Sequence, residues 1–303
     1  MLPGPNRFAY SGIESRADFQ WPEGKRLAFY VALCVEHFSY GSGGLGLSYS
    51  PGISQPNTYN WAWREYGNRV GGWRILALCK ELGIPLTVLL NTECYEHCPE
   101  LVQALVDAGA EIVSHGRSNS EIQNGLSEEQ ERQLIHSATE SIKQHSGLQP
   151  AGWMSPGANP SAVTEDLLQE AGYLYTLDWP MDDQPVWMKT REGKLLSLPY
   201  PHEVNDVPMV VLHHGTAPAF AEMAIANFDE MLVQSSQQSL VYGMTLHTFI
   251  MGQPFRLQAL RKLLEHIKRR DDAVWFTTAG QIAKHYAQQI APDLNDSPQG
   301  APA

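Results

Sequence analysis

Residues 27–37 read LAFYVALCVEH, nine apolar residues running without a break into an acid and an imidazole. An apolar run of that length, rich in aromatic and β-branched side chains, predicts a strand covered on both faces. Glu36 and His37 then stand at its carboxyl end. The same pattern recurs along the chain. Pro85–Leu90, Glu111–Ser114, Ala151–Met154, Tyr173–Leu177, Leu240–Leu246 and Ala273–Phe276 read as six further strands, and Lys194–Leu198 as one arm of a hairpin. Between them lie amphipathic stretches: Val70–Leu82, Cys98–Ala108, Ser127 to Gly147, Ser161–Ala171, Ala217–Gln234, Phe255–Arg270 and Thr278–Gln289. Ser127-Glu-Glu-Gln130 has the reciprocal cap pattern of a helix start, and Gly83, Gly147 and Gly172 stand at helix ends. Seven strand–helix units imply an α/β domain with a parallel sheet, open or closed into a barrel. The barrel is assigned to residues 27–290, after an extension over 1–26 and before a tail over 291–303. That tail is rich in Pro, Gly and Asp and reads as disordered.

Composition narrows the partners. The chain has 303 residues, 43% of them hydrophobic, and a formal net charge of −12 from 21 basic and 33 acidic side chains. No basic cluster is present, which argues against nucleic acid or an anionic membrane surface as partner. No stretch approaches the ~20 apolar residues that cross a bilayer, and Met1–Trp21 lacks the pattern of a secretory signal. A cytoplasmic location follows as the expectation. Cys34, Cys79, Cys94 and Cys98 are too few and too scattered for a disulfide framework and read as free thiols. Cys94 and Cys98 flank His97, but the second half of a metal clip is missing.

In a β/α barrel the carboxyl ends of the strands converge on one mouth. Those ends carry Glu36-His37, Asn91, His115, Ser155-Pro156, Asp178-Trp179, His247 and Thr277. Apolar strands ending repeatedly in groups that titrate or hydrogen-bond point to a catalytic mouth. Neighbours on a regular strand face opposite sides, so whether Glu36 or His37 points inward stays open. Asp178 reads equally well as a brace for a neighbouring side chain. His97, His136, His145, His266 and His285 lie on predicted helices and read as surface or packing residues. The loop Phe38–Arg69 opens with Gly41, Gly43, Gly44 and Gly46 and carries Tyr59, Trp61, Trp63 and Tyr66. So many aromatics in a polar loop suit a lid or a contact between subunits, hence a homo-oligomer.

These motifs resemble, in order, those of the polysaccharide (carbohydrate) deacetylases: the strand-end carboxylate, Ser114-His-Gly-Arg-Ser-Asn119, Trp153-Met-Ser-Pro-Gly157, Leu177-Asp-Trp179 and Leu246-His247. The resemblance spans roughly Leu27 to Tyr286. Glu203-Val-Asn205-Asp206, Asp182-Asp183-Gln184-Pro185 and Leu246-His-Thr-Phe-Ile-Met-Gly-Gln-Pro254 are similar to the branch of metal-independent allantoinases and cyclic-imide hydrolases.

The resemblance implies a distorted (β/α)7 barrel. It also implies a general base at Glu36, and metal ligands at His37, His115 and the position of Asn119. Two of those three ligand positions have changed type, and an amide is a poor zinc ligand. One divalent metal such as zinc, held by His37 and His115 with help from Glu36 or Asp183, is therefore one alternative and a metal-free site the other. The implied reaction is hydrolysis of a non-peptide C–N bond in a small amide, cyclic imide or ureide, with Glu36, His115 and His247 as catalytic groups. Arg117, Asn119, Trp153, Asp183, Asn205 and Asp206 are the candidates for orienting a small-molecule substrate. Two other readings compete: a zinc-dependent deacetylase of N-acetyl sugars, and a non-catalytic barrel serving as a binding subunit.

Overall fold

The computed structural model describes residues 6–41 and 56–290. The tail from residue 291 and the stretch holding Gly43, Gly44 and Gly46 lie outside the described residues. Nine strands form one sheet: β1 Leu27–Val35, β2 Leu86–Leu90, β3 Glu111–Ser114, β4 Gly152–Trp153, β5 Tyr175–Thr176, β6 Val186–Lys189, β7 Lys194–Ser197, β8 Leu240–His247 and β9 Val274–Phe276. The helices are α1 Thr58–Tyr66, α2 Gly72–Leu82, α3 Cys94–His97, α4 Pro99–Asp107, α5 Glu128–Ser146, α6 Thr164–Glu170, α7 Ala217–Gln234, α8 Thr248–Met251, α9 Pro254–Lys268 and α10 Ala279–Gln289. The Ser127 cap is formed reciprocally with Gln130, as its sequence predicts.

The strand order is β6-β7-β5-β4-β3-β2-β1-β8, with β9 also against β1, and every pairing but β6–β7 is parallel. The expected β/α barrel is thus present as a strongly curled sheet. Its wall gains a member from the hairpin: β7 lies parallel to β5 as part of the wall, and β6 covers its outer edge. Across the seam, Val241 donates its N–H to the Asp183 carbonyl at 2.9 Å and Thr245 to the Val204 carbonyl at 3.0 Å. Single bonds replace a ladder there among the described residues.

β1 is central and all nine of its residues are buried. Leu27, Phe29, Val31, Leu33 and Val35 pack outward against the helices, whereas Ala28, Tyr30, Ala32 and Cys34 pack inside the barrel. The alternation is the ordinary period of two of a strand, and small residues beside Tyr30 let the interior fill without strain. Tyr175 fills the space opposite, and a methyl group at Gly152 would fall inside its ring. The Tyr175 hydroxyl donates to Glu111 at 2.9 Å, and Glu111 also accepts the Gly280 N–H at 2.8 Å. A carboxylate against exposed N–H groups at a helix start is a favourable pairing, and it docks α10 on the base of the barrel. The segment before β1 closes the same end, with buried Trp21 donating to the Leu240 carbonyl at 2.9 Å.

The aromatic stretch expected as loop is helical from Thr58 onward. Asn57 caps α1 by accepting the Asn60 N–H at 3.0 Å, and a π-helical turn over Gly67–Gly71 carries the chain into α2. No helix of the described residues is long and apolar enough to cross a membrane. All four cysteines are free thiols and buried.

Filling the small space at Gly152 tests the packing. Gly152→Ala should cost about 1–3 kcal/mol, the usual penalty for overpacking a core. Urea denaturation would show it as a lowered midpoint at unchanged slope, and adding Tyr175→Leu should recover part of the loss.

Candidate active site

The parity of β1 decides which strand-end residue reaches the mouth. Glu36 continues the inward face of Tyr30, Ala32 and Cys34, while His37 continues the outward one. Glu36 is only 7% exposed yet lines a cavity of about 370 Å³, together with Cys34, Arg64, His115, Asn119, Asn205 and His247. Phe38, Met154, Leu177, Tyr200 and Phe249 supply an apolar lining. A few convergent polar groups in an apolar cleft is the usual form of a small-molecule site.

Asn91, at the end of β2, ties the neighbouring strands together. Its Oδ1 accepts the His37 N–H at 2.9 Å, and its Nδ2 donates to the His115 carbonyl. Asn68 holds the Glu36 carbonyl from the other side at 2.8 Å. The carboxylate itself accepts from Asn119 Nδ2 at 2.6 Å, and the Nε2 atoms of His115 and His247 each stand 3.6 Å from its Oε1. Burial alone would raise the Glu36 pKa. The nearby His247, the His115 ring and Arg64 outweigh it and hold the group below the ordinary carboxylate value.

Both rings are fixed by what their Nδ1 atoms touch. His115 Nδ1 lies 2.7 Å from the Met154 carbonyl. A carbonyl only accepts, so Nδ1 carries the proton and Nε2 faces Glu36. His247 Nδ1 lies 2.7 Å from Asp206 Oδ1, and its backbone N–H donates to Oδ2 at 2.8 Å. Asp206 is placed by a parallel bridge between Asn205 and Thr245 and is wholly buried. Burial raises the Asp206 pKa, and the two His247 groups oppose that. For His247, burial disfavours the charged ring, but the Glu36 and Asp206 carboxylates raise its pKa well above that of an ordinary histidine.

Of the residues expected to bind metal or substrate, five lie off the cavity wall, Asp206 among them, wholly buried behind His247 with both oxygens engaged by it. His37 turns away: its Nδ1 pairs with Glu93 at 2.7 Å, and its ring stacks edge-on with His97, which pairs with Glu65 at 2.8 Å. His37 and His115 therefore do not face one ion. Arg117 is half exposed and pairs with Glu121. Trp153 faces outward among Leu134, Leu168 and Tyr173, and its neighbour Met154 takes the inward place. Asp183 sits by the base of β8, where its carbonyl accepts from Val241, and Asp182 beside it is held by Arg16. Asp178 braces Ser155, accepting its N–H and hydroxyl at 2.7 Å each, and also borders the cavity.

Among the described residues one group could gather around a metal: Cys34, Glu36 and His247, whose ligand atoms lie within 4.8 Å of one another. A ligand must be deprotonated. Burial raises the Cys34 pKa, keeping the thiol protonated, and the His247 ring favours its charged form. Two of the three donors thus hold protons that a zinc ion would have to displace. The ligand positions that the motifs imply do not converge, since His37 is outside the cavity and Asn119 gives its amide to Glu36.

Sequence reading missed Arg64, Cys34, Tyr200 and His202, which all line the cavity. Arg64 sits in the aromatic stretch read as loop. Gly71 and Gly252 bring that wall against the turn after His247. A side-chain carbon on either would fall on the backbone of the other segment, and α8 packs directly on the π-helical turn.

The family description "Polysaccharide deacetylase" matches residues 65–176. The "Putative polysaccharide deacetylase" of Schizosaccharomyces pombe is 30% identical over 247 residues, 74% of this chain and 74% of that protein. A crystal structure titled "probable Polysaccharide deacetylase from Pseudomonas aeruginosa PAO1" superposes with a TM-score of 0.82 at 27% identity, covering 90% of this chain and 95% of that one. The crystal structure of PuuE allantoinase gives 0.85 at 26% identity, covering 94% of this chain and 100% of that one. With a relative that similar aligned over nearly three quarters of both sequences, the chain belongs to the polysaccharide deacetylase family.

Proposed function

We propose that this cavity hydrolyses a non-peptide C–N bond in a small amide, cyclic imide or ureide, with Glu36 as the general base. The observation that carries the reading is one carboxylate, held ionised, facing two oriented imidazoles across 3.6 Å. Glu36 takes a proton from water as the water oxygen bonds to the substrate carbonyl carbon. His247 gives its Nε2 proton to the departing nitrogen as the C–N bond breaks, since an amide nitrogen leaves poorly unprotonated. Asp206 holds that ring in place and favours its charged form. His115, tethered through Nδ1, keeps Nε2 beside the carboxylate and positions the water. Asn119 keeps Glu36 aimed, and Asn205 on the cavity wall offers polar contacts to the substrate.

Size and lineage support a small substrate. About 370 Å³ lies near the lower end of small-molecule sites and suits a single ring. One superposition, covering 94% of this chain, is with a protein titled an allantoinase. The relatives named for polysaccharide substrates favour the second reading, a deacetylase of N-acetyl sugars. Zinc, which that reading requires, would have to be held at Cys34, Glu36 and His247, and none of the steps above passes through it.

A panel of cyclic imides, hydantoins, allantoin, simple amides and chitooligosaccharides separates the readings. Turnover of a small ring by protein holding less than stoichiometric zinc is the expected result. Stoichiometric zinc with activity on the oligosaccharide would replace it with the deacetylase reading, and no turnover at all would leave a binding barrel. Glu36→Gln should lower kcat/KM about a thousandfold, the middle of the range for a positioned base.

The pH profile gives a second check. Activity needs Glu36 deprotonated and His247 protonated. The acid limb should therefore fall below the ordinary glutamate value of 4.5, and the alkaline limb well above the ordinary histidine value of 6.5. Asp206→Asn removes a charge that favours imidazolium, so the alkaline limb should move to lower pH. A limb that stays put would show that His247 is not the acid.

A further inference from the structure

Cys34 is the last inward residue of β1 before Glu36, and the register of β1 against β8 sets it directly beside His247. Alternation along the strand turns Cys34 and Glu36 to the same side. Thiol, carboxylate and imidazole therefore reach one wall of the cavity, with their donor atoms within 4.8 Å of one another. A methyl group could fill the interior there, as Ala28 and Ala32 do on the same face. What surrounds the thiol gives it another meaning. Tetrahedral zinc holds nitrogen, oxygen and sulfur donors at about 2.0–2.3 Å, which spaces those donors roughly 3.3–3.7 Å apart. His247 Nε2 and Glu36 Oε1 are 3.6 Å apart. The other side of the ring, Nδ1, meets Asp206 at 2.7 Å. A carboxylate in that position is the usual support behind a metal-binding imidazole. The cavity of about 370 Å³ leaves room for water to complete the shell.

We propose that Cys34, Glu36 and His247 form a reversible inhibitory site for a thiophilic divalent cation such as zinc. The site shares no residue with the ligand positions that the motifs imply, His37, His115 and Asn119. Binding sends the Cys34 and His247 protons to solvent, so the ion competes with them and comes and goes. Once they have left, the charges of Cys34, Glu36 and Asp206 outweigh the opposing Arg64 guanidinium. A sulfur donor selects zinc, cadmium or cobalt over magnesium and calcium, which take oxygen shells. Inhibition, as distinct from binding, rests on the hydrolase reading above: an ion there occupies both the base and the acid.

Cobalt(II), a coloured stand-in for zinc, reads the site without turnover. Equilibrium dialysis of the chelator-treated protein should give one saturable ion per chain. A thiolate-to-cobalt charge-transfer band should accompany it, lost on adding zinc and unmoved by magnesium. Cys34→Ser should abolish that band and weaken binding. Asp206→Asn should weaken binding about tenfold and keep the band, the scale of a lost carboxylate behind a metal-bound histidine. His37→Gln should change neither. No saturable cobalt, cobalt without the band, a band that survives Cys34→Ser, or binding lost with His37→Gln would overturn the site. Circular dichroism establishes that each variant folds; if Cys34→Ser does not, His247→Gln decides, since it should weaken binding and leave the band. Turnover by the unaltered protein is read separately. Zinc should lower the rate in step with occupancy, and a chelator should restore it. Zinc that fills the site while the rate holds or rises overturns the inhibition. A protein that binds cobalt through Cys34 but hydrolyses none of the panel sinks the hydrolase reading and leaves the metal site standing.

Discussion

A carboxylate taken out of water is expensive, on the order of several kcal/mol even after the protein relaxes around it. Glu36 is such a group, and the mouth of the barrel can be understood as the arrangement that makes its charge tolerable. Asn119 donates to it, the His115 and His247 rings face it, and Arg64 adds a positive field from the wall. Each of these comes from a different stretch of chain, so the charge is stable only when β1, β3, β8 and α1 are all in place. Fold and site are therefore one problem. The strand ends bring the partners together, and the partners make the strand end habitable for an acid.

The supports behind those partners are as specific as the partners themselves. Asn91 ties the backbone after β1 to that after β3, which fixes the lateral spacing between Glu36 and His115. Met154 and Asp206 fix the two rings through their Nδ1 atoms, so each Nε2 has one direction left to point. The contrast between a carbonyl and a carboxylate as the second partner is chemically meaningful. A carbonyl orients a ring; a carboxylate orients it and favours its charge. The two histidines, alike in sequence context, are thereby set up for different roles.

Much of this was legible from the residues alone. Nine apolar residues ending in Glu36 announced a buried strand, and the recurrence of that pattern announced the barrel. Glu36, His115 and His247 were readable as one constellation because each ends a strand. The choice between Glu36 and His37 was not. β1 is apolar on both faces, so its parity becomes visible only when the interior is known to be the Ala28, Tyr30, Ala32 side. Trp153 and Met154 exchanged places for the same reason. Arg64 was hidden differently: α1 has ordinary helical periodicity but turns its polar face inward, and its aromatics looked like a loop. The signal present was the spacing of Asn57, Asn60, Arg64 and Asn68, which only has meaning once the helix is given. Asp183 was misplaced because backbone pairing across the seam draws it to the base of β8 rather than to its end.

The close approach of Gly71 to Gly252 has a consequence for how such a protein can diversify. With backbone against backbone, the distance between the wall bearing Arg64 and the turn after His247 is set by main chain, which substitution elsewhere does not alter. Exchanges on the inward face of α1 therefore alter the side chains around Glu36, Arg64 among them, while the spacing of the two main-chain segments stays the same. A side chain at either glycine would instead force the two segments apart, so these two positions constrain the shape of the mouth more tightly than the side chains that line it.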